Sequence, residues 1–256
     1  MLATFSLRLA CGLIASLLLL SPQQVNPRYF RTQFLVSFAL TILAAVVWKN
    51  GMGITGAWLA LSAALIGSLL GALSWSLERA PGGRILIVLT AAALIAALVQ
   101  GPNVGASFAN EEVRPAAGWK IVDDISSAAI LGSALAAMLL GHFYLIAPGM
   151  SLTPLMRLLA AFFTAVLVRM VIAIAALFFW TRGNSLANLD LGVALWLMVR
   201  WSVGFVGPLV LGWMARESAK IRSTQSATGI LYVVVIFCFL GELTGQVLCR
   251  VTGFLF

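Results

Sequence analysis

The sequence predicts an all-α fold, a polytopic transmembrane helix bundle of about eight helices, and three observations predict it. Of 256 residues, 62% are hydrophobic and 9% charged, against about 25% charged in a soluble domain. Apolar runs close to the ~20 residues that carry a helix across a bilayer recur along the chain. Trp48, Trp75, Trp180 and Trp213 stand at the ends of such runs, where aromatic side chains form interfacial belts.

The runs fall near 4–20, 34–48, 55–76, 85–100, 125–147, 155–180, 190–213 and 229–247. The first has a weak basic start at Arg8 and is followed by Ser21-Pro22-Gln23, as in a signal peptide. No small-x-small cleavage site closes it, so it is read as a retained helix. The third carries Gly67 and Gly71, and the eighth Gly241 and Gly245, both GxxxG faces that let helices approach closely. The fourth is among the shortest and is the one expected to be tilted, partly re-entrant or wrongly bounded. Pro208 removes a backbone donor and should kink the seventh.

One connection is long. Residues 101–124 form a polar, outer-side loop with Glu111, Glu112, Asp123 and Asp124, between helices 1–4 (residues 1–100) and helices 5–8 (residues 125–256). It reads as a solvated linker or as a docking surface for an extrinsic partner. With four helices on each side, the halves run in the same sense, and no sequence repeat relates them.

The loops set orientation. Arg28, Arg31, Arg79, Arg84, Arg157, Arg216, Lys220 and Arg222 lie on one side; Lys49, Arg114, Lys120, Arg182 and Arg250 lie on the other. The richer set is expected to be cytoplasmic, which puts both termini in the periplasm of a bacterial inner membrane. The net charge of +8 is distributed as this topology signal. It forms no basic stripe with interleaved aromatics, which excludes nucleic-acid binding.

Cys11, Cys238 and Cys249 have no metal-ligand spacing, and no metal site is expected. No Walker loop, GxGxxG, HExxH or GxSxG is present, so catalysis by this chain alone is disfavoured. Arg216 to Gly229, RESAKIRSTQSATG, reads as positive-inside charge followed by a capped helix start rather than a phosphate site.

Ionisable groups at membrane depth are costly and point to function. In the first four runs there is only Arg8, near enough to the outer surface to snorkel. His142, Arg169, Arg200 and Glu242 all lie in the second half. At about 1.5 Å per helical residue, Arg169 and Arg200 come out ~15 Å deep and Glu242 ~8 Å deep. They can converge between helices 6, 7 and 8, with Glu242 and Arg200 as a structural pair and one cation left for a ligand. His142, in Gly141-His142-Phe143-Tyr144-Leu145, belongs near the inner surface. Being the single histidine, it excludes a bis-histidine haem within this chain.

Val235 to Gln246, VIFCFLGELTGQ, resembles the last helix of the dimethyl sulfoxide reductase and polysulfide reductase-like membrane-anchor family. Gly241, Glu242 and Gly245 match a G-E-x-x-G-R ending, with Gln246 in place of the arginine. The resemblance implies a haem-free membrane subunit of a respiratory-type electron-transfer complex. Such a subunit anchors partners that carry redox centres, sits among membrane lipids and contacts quinone. Arg169, Arg200, Glu242, His142 and Tyr144 are the quinone or ligand candidates; no covalently bound cofactor is expected. The alternatives are a small transporter or channel with a midplane anion site, and a purely structural assembly subunit.

Overall fold

The computed structural model describes residues 1–48, 55–77, 82–101, 117–147, 149–183 and 190–253. Among these, every regular element is helical. In chain order they are α1 (Leu2–Ser16, continued by a 3-10 turn, Leu17–Leu19), α2 (Pro27–Trp48), α3 (Thr55–Ser74), α4 (Gly83–Gln100) and α5 (Ala117–Ile146). There follow α6 (Thr153–Gly183), α7 (Leu191–Trp201), a π-helical turn (Ser202–Val206), α8 (Gly207–Lys220) and α9 (Thr224–Thr252). Counting α7 to α8 as one crossing, eight segments are long and apolar enough to span a membrane, so this is a polytopic membrane bundle.

Local chemistry sets several helix ends. The Asp190 carboxylate accepts the Gly192 N–H at 3.1 Å and starts α7. Gly253, with φ 72°, closes α9 in the left-handed conformation that glycine adopts without strain. Lys120 spends its ammonium on the end of α4, donating to the carbonyls of Leu98 at 2.7 Å and Gly101 at 3.0 Å. The fourth run is an unbroken helix of 18 residues, long enough to cross, rather than a re-entrant segment.

The first helix is the most enclosed. In α1, 78% of the span is buried, against 28–61% for the others. It packs on α2, α4 and α5, while α5 packs in turn on α6 and α9. The α1–α5 contact joins the two halves and is made by glycine. A Cβ on Gly12 would strike the Ala128 carbonyl, and one on Gly132 would strike the Gly12 backbone. The anticipated GxxxG faces are also used. Gly67 lies under Thr90 of α4, Gly71 under the Phe34 ring of α2, and Gly241 against Gly204 of the π turn. Gly245 is buried on α9.

Three features differ from the sequence reading. The polar connection ends at Ala117, because Ala117 to Asp124 already belong to α5, whose 30 residues exceed what the hydrocarbon core requires. Where the sequence predicts a kink in the seventh run, the structure has a π turn just before Pro208. A wider turn accommodates the backbone that proline deprives of a donor. The first half also carries more buried polarity than expected. Tyr29, Gln33, Ser37 and Thr41, spaced four apart on one face of α2, are all fully buried. The Tyr29 hydroxyl donates to the Ala136 carbonyl of α5 at 2.9 Å, and Ser37 meets Ser68 of α3 at 3.4 Å.

Candidate functional site

On the side of the bundle that carries both termini, charged residues from five helical segments meet. Arg8 comes from α1, Asp123 and Asp124 from α5, Arg169 from α6, Arg200 from α7 and Glu242 from α9, each 3% exposed or less. Arg8 donates from Nε to Asp124 Oδ1 at 2.8 Å and from Nη2 to Asp123 Oδ2. Arg169 donates from Nη1 to Asp123 Oδ1 at 2.5 Å and to Ser126 Oγ at 3.2 Å. From Nε and Nη2 it reaches both Glu242 oxygens at 3.3 Å, a bidentate grip. Arg200 Nη2 stands 2.9 Å from Glu242 Oε1, and its guanidinium lies 4.6 Å from the Phe205 ring centroid.

The helical repeat explains the convergence. Gly204 follows Arg200 by one turn and rests on Gly241, which precedes Glu242. The lack of side chains at this contact brings the Arg200 stem within reach of Glu242. Asp123 and Ser126 face α6 together, so a single guanidinium, Arg169, reads both.

These contacts correct two expectations. Arg8 does not snorkel: it is 3% exposed, and two carboxylates about two turns inside α5 hold it. The second deep arginine leaves no unmatched charge, because Asp123 and Asp124 bring the buried account to three guanidiniums and three carboxylates. Lys120 adds a fourth cation at the rim, 3.4 Å from Asp124 Oδ2.

The sequence candidates separate into two places. Arg169, Arg200 and Glu242 meet in the network. His142 and Tyr144 do not, since 18 residues of α5, roughly 27 Å, separate His142 from Asp124. His142 is exposed on the bundle surface. Tyr144 is buried and donates to the Ser151 carbonyl at 2.5 Å, closing the α5–α6 turn.

Asp123, Asp124, Lys120 and Ser126 were missed. A signal for them was available: three deep arginines and one deep glutamate call for two more carboxylates, and Asp123-Asp124 directly precedes an apolar run that also holds Ser126 and Ser127. Some polar atoms stay orphaned. Arg200 Nε and Nη1 and both amide atoms of Gln246 are buried without a hydrogen-bond partner, and Asp124 Oδ2 has only the Lys120 ammonium, 3.4 Å away.

Below the network, α4 and α6 stand apart and leave a cleft of about 230 Å³ open to the outside of the bundle. Cys11 and Gly12 of α1, Ile95 of α4, Ala128 and Ser133 of α5, and Ala165 of α6 line it. Among the described residues, no cluster of three metal-ligating side chains occurs, and the three cysteines are free and buried.

No protein family, curated protein or solved structure matches the chain. The likeness of the last helix to the reductase anchors therefore rests on its dozen residues alone.

Proposed function

We propose that this chain is a haem-free integral membrane subunit of an electron-transfer assembly, and that its ion network contacts quinone. One observation carries the reading. Three basic and three acidic side chains from five helical segments are gathered among the membrane-spanning helices, and residues about one helical turn away on α1, α5 and α6 line an apolar cleft that opens outward. A few convergent polar groups with apolar walls are the usual composition of a small-molecule site. Guanidiniums supply donors for carbonyl oxygens, and carboxylates supply acceptors for hydroxyls. Quinone, when bound, supplies exchange of electrons and protons; the redox centres that meet it belong to other subunits. The eight-to-five distribution of loop cations supports placing the network on the periplasmic side of a bacterial inner membrane.

A structural reading is favoured by a different observation, the equality of three guanidiniums and three carboxylates. A closed ionic account of this kind ties helices together with no ligand at all.

Purification in mild detergent separates the two. Extracted quinone and co-purifying haem or iron–sulfur proteins support the electron-transfer reading. A lone oligomer without either overturns it. In an assembly that does form, Arg169→Gln should slow quinol-dependent electron transfer at least tenfold. If only assembly yield falls, the network is a structural lock.

A further inference from the structure

Arg200 is the loosest member of the network. Arg8 is shared by Asp123 and Asp124, and Arg169 by Asp123 and Glu242. Arg200 meets a single carboxylate oxygen, Glu242 Oε1 at 2.9 Å, while its Nε and Nη1 are buried without a partner. Its other neighbour, the Phe205 ring, belongs to the π turn itself. Release of Arg200 to water satisfies donors that the closed bundle leaves bare. It strands no carboxylate, because Arg169 holds both oxygens of Glu242.

The helix that carries Arg200 is lightly held as well. The seventh crossing is the least buried of the eight, at 28%. Among the described residues, α7 packs chiefly on α9 and on the π turn. Its buried Val193 joins Ala176 of α6 and Leu248 of α9 in a small cluster separate from the main core. An element with so few buried apolar contacts is one that opens locally. Its inner end has a ready pivot. The π turn lies just ahead of Pro208 and rests on α9 through Gly204 against Gly241, two bare backbones with no side chains to interlock.

We infer that α7 is a hinged gate: it swings from α9 about the π turn, parts Arg200 from Glu242 and admits water to that end of the network from the side of the termini. The lever arms suit this. At about 1.5 Å per residue, Leu191 stands ~16 Å from the turn and Arg200 ~3 Å. A change of about 20° in the kink moves Leu191 by ~6 Å and the Arg200 backbone by ~1 Å. The smaller shift is enough to take the 2.9 Å contact past hydrogen-bond reach. The gate needs no particular ligand, so it stands or falls apart from the quinone reading.

Nitroxide pairs on the protein purified in mild detergent test the swing. Leu191→Cys with Val251→Cys, both exposed, should give two distances about 6 Å apart. Phe179→Cys on α6 with Val251→Cys should give one. The parent, whose three cysteines are buried, sets the labelling background. Val193→Cys, buried in the closed bundle, should react with a membrane-impermeant maleimide. Pro208→Ala, which restores the missing backbone donor, should merge the two distances and slow that reaction roughly tenfold. A single distance for the α7 pair, two for the α6 pair as well, an inert Val193→Cys, or a Pro208→Ala variant that swings like the parent would each overturn the gate.

Discussion

Arg169 is the side chain on which the network turns, because it alone touches both Asp123 and Glu242. Replacing it with Gln leaves Asp123 with Arg8 alone and Glu242 with Arg200 alone, three buried carboxylates to two guanidiniums. The loss should be about 3–5 kcal/mol, seen as a large drop in melting temperature in detergent. Lys120→Met should cost clearly less, since the Lys120 side chain is 11% exposed and its carboxylate partner keeps Arg8. Equal losses would show that the rim lysine is as integral as the core. Gln33 offers the opposite case: its amide is fully buried on α2, with the Tyr29 side chain one turn away as its polar neighbour. Removing an unsatisfied amide in favour of an apolar side chain of similar size is nearly neutral or stabilising. Gln33→Leu should therefore melt no lower than the parent; a fall of several degrees would mean that the Tyr29 hydroxyl or ordered water satisfies the amide. Arg169, Arg200 and Glu242 were legible in the sequence because charge inside an apolar run stands out. Asp123 and Asp124 were not, because hydropathy places the helix edge just after them and cannot see that α5 begins at Ala117 and carries them into the bundle.

At the level of elements, the contacts that aim these side chains are made by glycine. A Cβ on Gly241 would overlap Gly204. Gly241→Val should thus push the π turn off α9 and withdraw Arg200 from Glu242. The expected outcome is a stability loss close to that of Glu242→Gln, and the double variant should lose much less than the sum of the two. Simple additivity would disconnect the glycine contact from the ion pair. Gly241 could be picked out from its GxxxG spacing. Gly12 and Gly132 form no such motif within one helix, so the α1–α5 seam became visible only when the two helices were side by side. Similarly, Pro208 announced a bend but not its form, since a π turn depends on how the freed carbonyls are repaired by their surroundings.

Over the whole molecule, hydropathy alone gave the eight crossings, and the reason is physical: length and apolarity are what a bilayer demands of any span. It could not give their arrangement. The α1 segment sits in the middle of the eight by hydropathy, yet it is the most enclosed of them. Enclosure of the charges has a measurable consequence. Between ~0.01 M and ~1 M salt the Debye length falls from about 30 Å to about 3 Å. Pairs exposed to solvent weaken over that range, whereas this network should hold the melting temperature nearly constant. A steady decline with salt would mean that water reaches the ion pairs.

The position of Arg8 also orders events during synthesis. Its carboxylate partners lie 115 and 116 residues later in the chain. At ~5–20 residues per second, the ribosome needs roughly 6–23 s to deliver them. For that interval the helix destined for the centre of the bundle holds a guanidinium that no nearby residue neutralises. Assembly of this protein thus has a built-in waiting period, closed only when α5 reaches the membrane and brings Asp123 and Asp124 to α1.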